Sequence, residues 1–147
     1  MAFFRIFCLV VLSSFTLLSQ QHNPIVWTAS YKALSASEGE ITILGTIQTG
    51  WHTYSQRPTE AGPISTIIKF TPSGNYELIG PAEEIDVKEE YDKAFEAKLF
   101  VFSNKAEFKQ KIKIKAKLVI PISIEFVCCN ENMCLPPKTV ELSVLTQ

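Results

Sequence analysis

The chain has almost no surplus of charge. Its 14 lysines and arginines against 15 aspartates and glutamates leave a formal net charge of −1 at pH 7. A nucleic-acid-binding domain normally carries a basic excess, so that class is set aside. Cysteine is scarce as well. Four in 147 residues are too few for a disulfide-dense mini-domain. Internal repeats and low-complexity tracts are missing, and no segment reads as a convincing helix. What is plentiful is apolar side chain. Hydrophobic residues make up 46% of the chain, with 10 Phe, 4 Tyr and 2 Trp. That is enough to fill the core of one domain and it argues against global disorder.

Long hydrophobic runs are also missing. The longest, residues 6–18, spans about 13 positions, whereas a membrane-spanning helix needs about 20. It follows Arg5 and precedes Ser19-Gln20-Gln21, the layout of a secretory signal peptide. We read residues 1–19 as a signal peptide and residues 20–147 as one mature domain. An uncleaved N-terminal anchor is the alternative. Cys8 lies inside the run rather than after it, which argues against a lipoprotein. Cleavage removes Arg5 and Cys8, leaving 13 basic residues, 15 acidic residues and three cysteines, all within residues 128–134. The mature product is expected in the periplasm or otherwise secreted, without stable membrane insertion, where disulfides are permitted.

The mature part reads as β throughout. Residues 26–34 alternate weakly. Residues 40–48 form a clear strand with Ile41, Ile43, Gly45 and Ile47 on one face. Residues 51–54 are a short aromatic stretch, and residues 57–63, with two prolines and a glycine, form a loop. Residues 64–70 are strand-like. Pro72-Ser73-Gly74-Asn75 is a turn, followed by a short strand at 76–79. Residues 81–94 are acidic and irregular and read as a long loop, a kind of segment that often carries function. Strand character returns at 95–102. Residues 108–118 set Phe108, Ile112, Ile114, Ala116 and Leu118 against Lys109, Lys111, Lys113, Lys115 and Lys117. Ile120, Ile122, Ile124 and Phe126 continue the alternation, and residues 139–145 are the last strand. Eight or nine short strands with turns between them point to an all-β, immunoglobulin-like antiparallel β-sandwich. The lysine row is most simply a solvated face that discourages edge pairing. A docking patch for an acidic partner is its other reading.

The chemistry-bearing segment is Val127-Cys128-Cys129-Asn130-Glu131-Asn132-Met133-Cys134-Leu135-Pro136-Pro137. A strand runs in, Asn130–Met133 turn, and a strand runs out. Cys129 and Cys134 flank the turn. Facing residues of an antiparallel pair have Cα atoms roughly 4.5–5.5 Å apart, within the range of about 4.4–6.8 Å that a disulfide needs. Cys128 competes for Cys134. If the alternation runs on without a bulge, Cys128 stays on the core face as a small buried hydrophobe, and Cys129 pairs with Cys134. A bulge before the turn reverses that choice. A bridge closing so short a loop gains only about 2 kcal/mol by the chain-entropy formula, a weak motive for a staple. A pair at the end of a sheet is well placed for attack by a partner thiolate. Spacing alone leaves exchange and structural roles both open. Three thiols with His52 would suit zinc or soft copper. However, the spacing is unlike common zinc knuckles, and adjacent strand residues project to opposite faces. A metal is therefore not expected. Cysteine–histidine nucleophilic catalysis is poorly supported, since nothing in the sequence brings His52 near a thiolate.

Gly50-Trp51-His52-Thr53-Tyr54-Ser55-Gln56, Gly62-Pro63-Ile64 and above all Cys129-Asn130-Glu131-Asn132-Met133-Cys134-Leu135-Pro136-Pro137 resemble the N-terminal periplasmic domain of the thiol:disulfide interchange protein DsbD. The resemblance runs from about Pro24 to the end of the chain. It implies an immunoglobulin-like fold with one redox-active pair, falling on Cys129 and Cys134. Cys128 remains an alternative to Cys129, because some relatives have one more residue in the loop. It also implies dithiol–disulfide exchange through a mixed disulfide, without a cofactor. The implied partners are a membrane thiol reductase and thioredoxin-fold proteins, such as a disulfide isomerase or a cytochrome-maturation factor. Relatives continue into a membrane domain and a thioredoxin domain that this sequence lacks, so both partners are expected in trans. Family members cover the pair with a loop bearing an aromatic side chain. Tyr91 is the candidate for that cap, and Tyr54 resembles a tyrosine lining the site. The rival reading is a secreted β-sandwich binding or structural module with an inert hairpin disulfide.

Overall fold

The computed structural model describes residues 23–146. The expected signal peptide, with Cys8, lies outside them. Eleven strands make up the described part: β1 (Ile25–Ala33), β2 (Glu38–Ile47), β3 (His52–Tyr54), β4 (Ile67–Phe70), β5 (Tyr76–Ile85), β6 (Lys88–Asp92), β7 (Ala97–Ser103), β8 (Lys105–Ile114), β9 (Val119–Phe126), β10 (Cys128–Cys129) and β11 (Lys138–Leu145). They form antiparallel sheets in the orders β1-β2-β8-β5, β10-β3-β7-β6 and β11-β9-β4. The fold is the expected all-β, immunoglobulin-like sandwich. Among the described residues no helix is long and apolar enough to cross a membrane.

Alternation builds the core. Gly39, Ile41, Ile43, Gly45 and Ile47 of β2 point inward, as do Ile120, Ile122, Ile124 and Phe126 of β9. Together with Ile25, Trp27, Phe108 and Ile112 they form one buried cluster between the layers. Trp27 packs on Phe108 and edge-on against Phe126, with ring centroids 6.1 Å and 5.3 Å away. It sits opposite Gly45 in the β1–β2 register. A Cβ at Gly45 would come within 2.8 Å of the indole ring, so the absent side chain is what lets the ring lie flat on the strand.

β9 passes into β10 after a single irregular residue, Val127, and so joins the second and third sheets. The fully buried Thr53 donates its hydroxyl to the Val127 carbonyl at 2.7 Å. The break in the ladder therefore leaves that buried carbonyl satisfied.

Three expectations need correction. Residues 81–94 are not a loop. β5 continues through a register shift between Ile79 and Glu83, where Gly80 takes φ +67°. The chain then turns at Asp86, with φ +58°, and returns as β6. Most of this hairpin is exposed, so it has no apolar alternation by which a strand is recognised. Second, β8 ends at Ile114 and Ala116 is exposed beyond it. Third, the lysine row, with Lys109, Lys111 and Lys113 on β8 and Lys115 and Lys117 just past its end, follows an interior strand of its sheet, where no edge needs protection. It is a mixed-charge outer face, with Lys109 3.7 Å from Glu40 and Lys115 2.9 Å from Glu77. The charged edge strand is β6, whose Lys88, Glu89 and Glu90 are all exposed, a device that blunts pairing with other chains.

Candidate functional site

Cys129 and Cys134 are bonded, with an S–S distance of 2.03 Å. The hairpin explains why these two meet. The Asn130 N–H donates to the Met133 carbonyl at 2.9 Å, and the Leu135 N–H to the Cys128 carbonyl at 2.8 Å. The cysteines occupy the non-hydrogen-bonded position between those bonds, where facing Cα atoms come closest. Their Cα atoms are 4.0 Å apart. The Asn130 side chain fixes the turn by accepting the N–H groups of Asn132 and Met133, both at 2.9 Å, as asparagine commonly does. The outgoing strand is shorter than expected. Cys134 makes an isolated bridge to Cys129, Pro136 and Pro137 lack the N–H that a ladder needs, and regular pairing resumes at Lys138.

The three thiol positions differ sharply. Cys128 is free, 2% exposed and packed in the main core. Burial pushes its thiol up to about 12, and Lys138 offsets this only in part. Cys129 is 1% exposed and belongs to a second cluster with Tyr54, Leu99, Val101 and Val127. Cys134 is half-buried against the same cluster and is thus the more accessible sulfur of the pair. No bulge intervenes, and the alternation that set Cys128 apart from Cys129 carries through the junction.

Two segments border the second cluster. The first follows β3. The Glu84 carboxylate accepts the Ser55 hydroxyl at 2.8 Å and the Gln56 N–H at 2.6 Å. Arg57 lies 3.5 Å from the same carboxylate and 4.0 Å over the Phe100 ring. Held in this way, the segment brings Gly62 onto Leu99, whose methyls would lie 3.1 Å from an added Cβ. The second is the turn between β6 and β7. Its Phe95 packs on the cluster and lies edge-on to Tyr54, with centroids 6.2 Å apart at 89°. Tyr91, the expected cap, is 62% exposed on β6 and is not among the side chains packed on the cluster. It lines a neighbouring groove of about 450 Å³ with His52, Asp92, Asn130 and Glu131.

Tyr54 lies within the cluster. Its hydroxyl donates to Asp92 Oδ2 at 2.7 Å. Burial, and then that bond and the Asp92 charge, raise the phenol far above its ordinary value. Asp92 shifts the other way. Burial alone would raise its carboxyl, but hydrogen bonds from Tyr54, the Ala94 and Phe95 N–H groups and His52 outweigh it, and the carboxyl is lowered. His52 faces Cys129 across the β3–β10 ladder, and its Nε2 lies 3.0 Å from the Tyr54 hydroxyl. Sequence reasoning passed over Asp92 and Phe95 as site residues and left His52 as an ordinary strand-end residue. The pairing that assembles them joins residues far apart in the chain, and no local pattern marks it. Among the described residues no three His, Cys, Asp or Glu side chains gather as metal ligands.

A family model described as the N-terminal domain of the thiol:disulfide interchange protein DsbD matches residues 23–146. The chain belongs to this family. Among solved structures, the reduced DsbD N-terminal domain of Neisseria meningitidis superposes with a TM-score of 0.59 at 15% identity, covering 84% of this chain and 86% of that one. The complex between the DsbD and PilB N-terminal domains of the same organism gives 0.55 at 14% identity, covering 80% of each chain. The N-terminal periplasmic domain of ScsB from Proteus mirabilis gives 0.51 at 18% identity, covering 80% of this chain and 43% of that one. At these identities the structural likenesses speak for the fold. Comparison with curated protein sequences gives no significant match. The DsbD N-terminal family, together with a cysteine pair at bonding distance, places this chain among thiol–disulfide exchange domains.

Proposed function

We propose that this domain relays reducing equivalents by dithiol–disulfide exchange at Cys129 and Cys134, in the periplasm or another extracytoplasmic compartment reached through the signal peptide of residues 1–19. The observation that carries the reading is the asymmetry of the bridge. A half-buried Cys134 is bonded to a Cys129 that is 1% exposed, in a hairpin too short to gain much from a staple. A partner thiolate attacks Cys134 Sγ. The S–S bond breaks, and Cys129 leaves as a thiolate and takes up a proton. The partner's second thiol, losing its proton, then attacks the partner sulfur of the mixed disulfide and releases the Cys134 thiolate. The partner dithiol ends as a disulfide, and this domain ends as a dithiol carrying two electrons. The same steps in reverse pass the electrons on.

The resemblance and the family membership support a membrane thiol reductase as donor and thioredoxin-fold proteins as acceptors. A disulfide isomerase and a cytochrome-maturation factor are the acceptors it suggests. Cys128 takes no part, because it lies in the other cluster with its thiol protonated.

Single-cysteine trapping tests this. In Cys129→Ser the resolving thiol is gone, so Cys134 should attack the disulfide of an oxidised thioredoxin-fold partner and stay joined to it. Cys134→Ser should trap little, since Cys129 is buried. Absence of adducts from both variants would point instead to a secreted binding or structural module with an inert bridge.

A further inference from the structure

The hairpin that carries the disulfide has a second face. Cys129 and Cys134 belong to the smaller cluster, whereas Cys128 and Leu135, one residue outside each of them, pack with the main core. Leu135 donates its N–H to the Cys128 carbonyl at 2.8 Å, and Lys138 then pairs with Phe126 of β9. Between these two links stand Pro136 and Pro137, which have no N–H to continue the ladder. A cavity of about 290 Å³ lies where the pairing lapses. Phe126 and Cys128, each 2% exposed, line it together with Leu135, the two prolines and Pro24.

The other lining side chains are Asn23 and Lys138. Lys138 is half-buried, and among the described residues no carboxylate pairs with it. Its charge reaches the Cys128 thiol, where it acts against the effect of burial. An ammonium without a counter-ion therefore stands at an apolar cavity.

We propose that this cavity binds a small carboxylate with an apolar ring or short chain. The apolar body lies against Phe126, Cys128 and Leu135, and the carboxylate meets Lys138. At about 290 Å³ the space is at the lower end for ligand pockets, roughly 300–1,000 Å³, so a ring or a short chain fits and a long chain does not. Pro24, Pro136 and Pro137 bring no N–H groups, so a phosphate, commonly cradled by several of them, is poorly served. One ammonium, with its three donors, serves a carboxylate. The site goes beyond the exchange reading and does not depend on it. Cys128 takes no part in exchange, and the cavity lies on the other face of the hairpin from the bond.

The test uses the full mature domain at neutral pH, with phenylpropionate as the probe and phenylpropanol as its neutral counterpart. Nuclear magnetic resonance should show saturable shifts of the Cys128, Leu135 and Lys138 amides, with a dissociation constant below about 1 mM, and none at His52 or Asp92. Lys138→Met keeps a long apolar stem and removes the charge. It should weaken the acid about tenfold, the scale of one charge-assisted bond, and leave the alcohol unaffected. Raised salt should also weaken the acid in the unmodified domain, which keeps the test open if the variant folds poorly. Equal binding of acid and alcohol, indifferent to Lys138→Met and to salt, would overturn the recognition of a carboxylate. Shifts confined to the groove beside Tyr91 would overturn the site. So would binding of neither probe. If in that case the domain self-associates and Lys138→Glu breaks the association, the occupant is a second copy of this chain.

Discussion

Cys128 and Cys129 are consecutive in the chain and lie in different hydrophobic clusters. Cys128 belongs to the main core between the layers, and Cys129 belongs to the smaller cluster at the end of the β3–β7 sheet. The one-residue break at Val127 does not disturb the alternation, so neighbours in sequence have opposite fates. Cys128 should resist alkylation in the folded domain and react on unfolding. Cys128→Ala should leave the disulfide and its exchange intact and cost about 1–2 kcal/mol, as for a small core truncation. Urea unfolding measures the cost, and mass spectrometry under native and denaturing conditions measures the reactivity.

The Thr53 hydroxyl is the donor at the junction that presents the cysteines. Thr53→Val keeps the shape and removes that donor, leaving the buried Val127 carbonyl without its bond. The expected loss is about 1–3 kcal/mol, read as a lower denaturation midpoint with an unchanged m value. A variant of native stability would show that the junction does not depend on this bond.

Gly45→Ala should destabilise by about 1–3 kcal/mol, the usual cost of overpacking. The added methyl would meet the Trp27 ring, which is wedged against Phe108 and Phe126 and cannot swing aside cheaply. Thermal unfolding checks this, and near-ultraviolet circular dichroism of the tryptophan should change with it.

Asp92 makes the domain sensitive to acid in a defined direction. Its carboxyl is lowered in the folded state. The stability it supplies is therefore fully present above the unfolded value of about 3.9 and is lost as pH falls through the lowered folded value. His52, Tyr54 and the N–H groups of Ala94 and Phe95 are the groups that hold it, with Glu90 and Lys93 lining the adjoining groove. Urea unfolding should therefore show a loss of stability that sets in only below about pH 4, and Asp92→Asn should shrink that acid step. A step centred near neutrality would assign the effect to another group.

Alternation made the core legible. The inward faces of β2 and β9 follow directly from it, and so does the separation of Cys128 from Cys129. The turn chemistry of Asn130 and the facing cysteines were legible for the same reason, since each lies within a few residues of its partner. The β5–β6 hairpin was not. A strand with little apolar burial carries no period-2 signal, and its acidic residues resemble those of a loop. Nor were the bonds of Asp92. Asp92 reaches Tyr54 and His52 only because β6 and β3 flank β7 in one sheet, and strand order is not written in local pattern. Phe95, three residues after Asp92, packs on the cluster, because the Asp92 carboxylate pulls in the N–H groups of Ala94 and Phe95.

The central claim is that the Cys129–Cys134 bond is there to be exchanged. Its most direct test is the redox equilibrium of the mature domain, set in dithiol–disulfide buffers of graded potential, quenched with acid and scored by mass spectrometry. One reversible two-electron transition is expected within the range spanned by thioredoxin-fold proteins, about −270 to −120 mV. Only Cys129 and Cys134 should change state, and Cys128 should stay reduced. A bond that stays oxidised well below about −300 mV, as structural disulfides do, would contradict it.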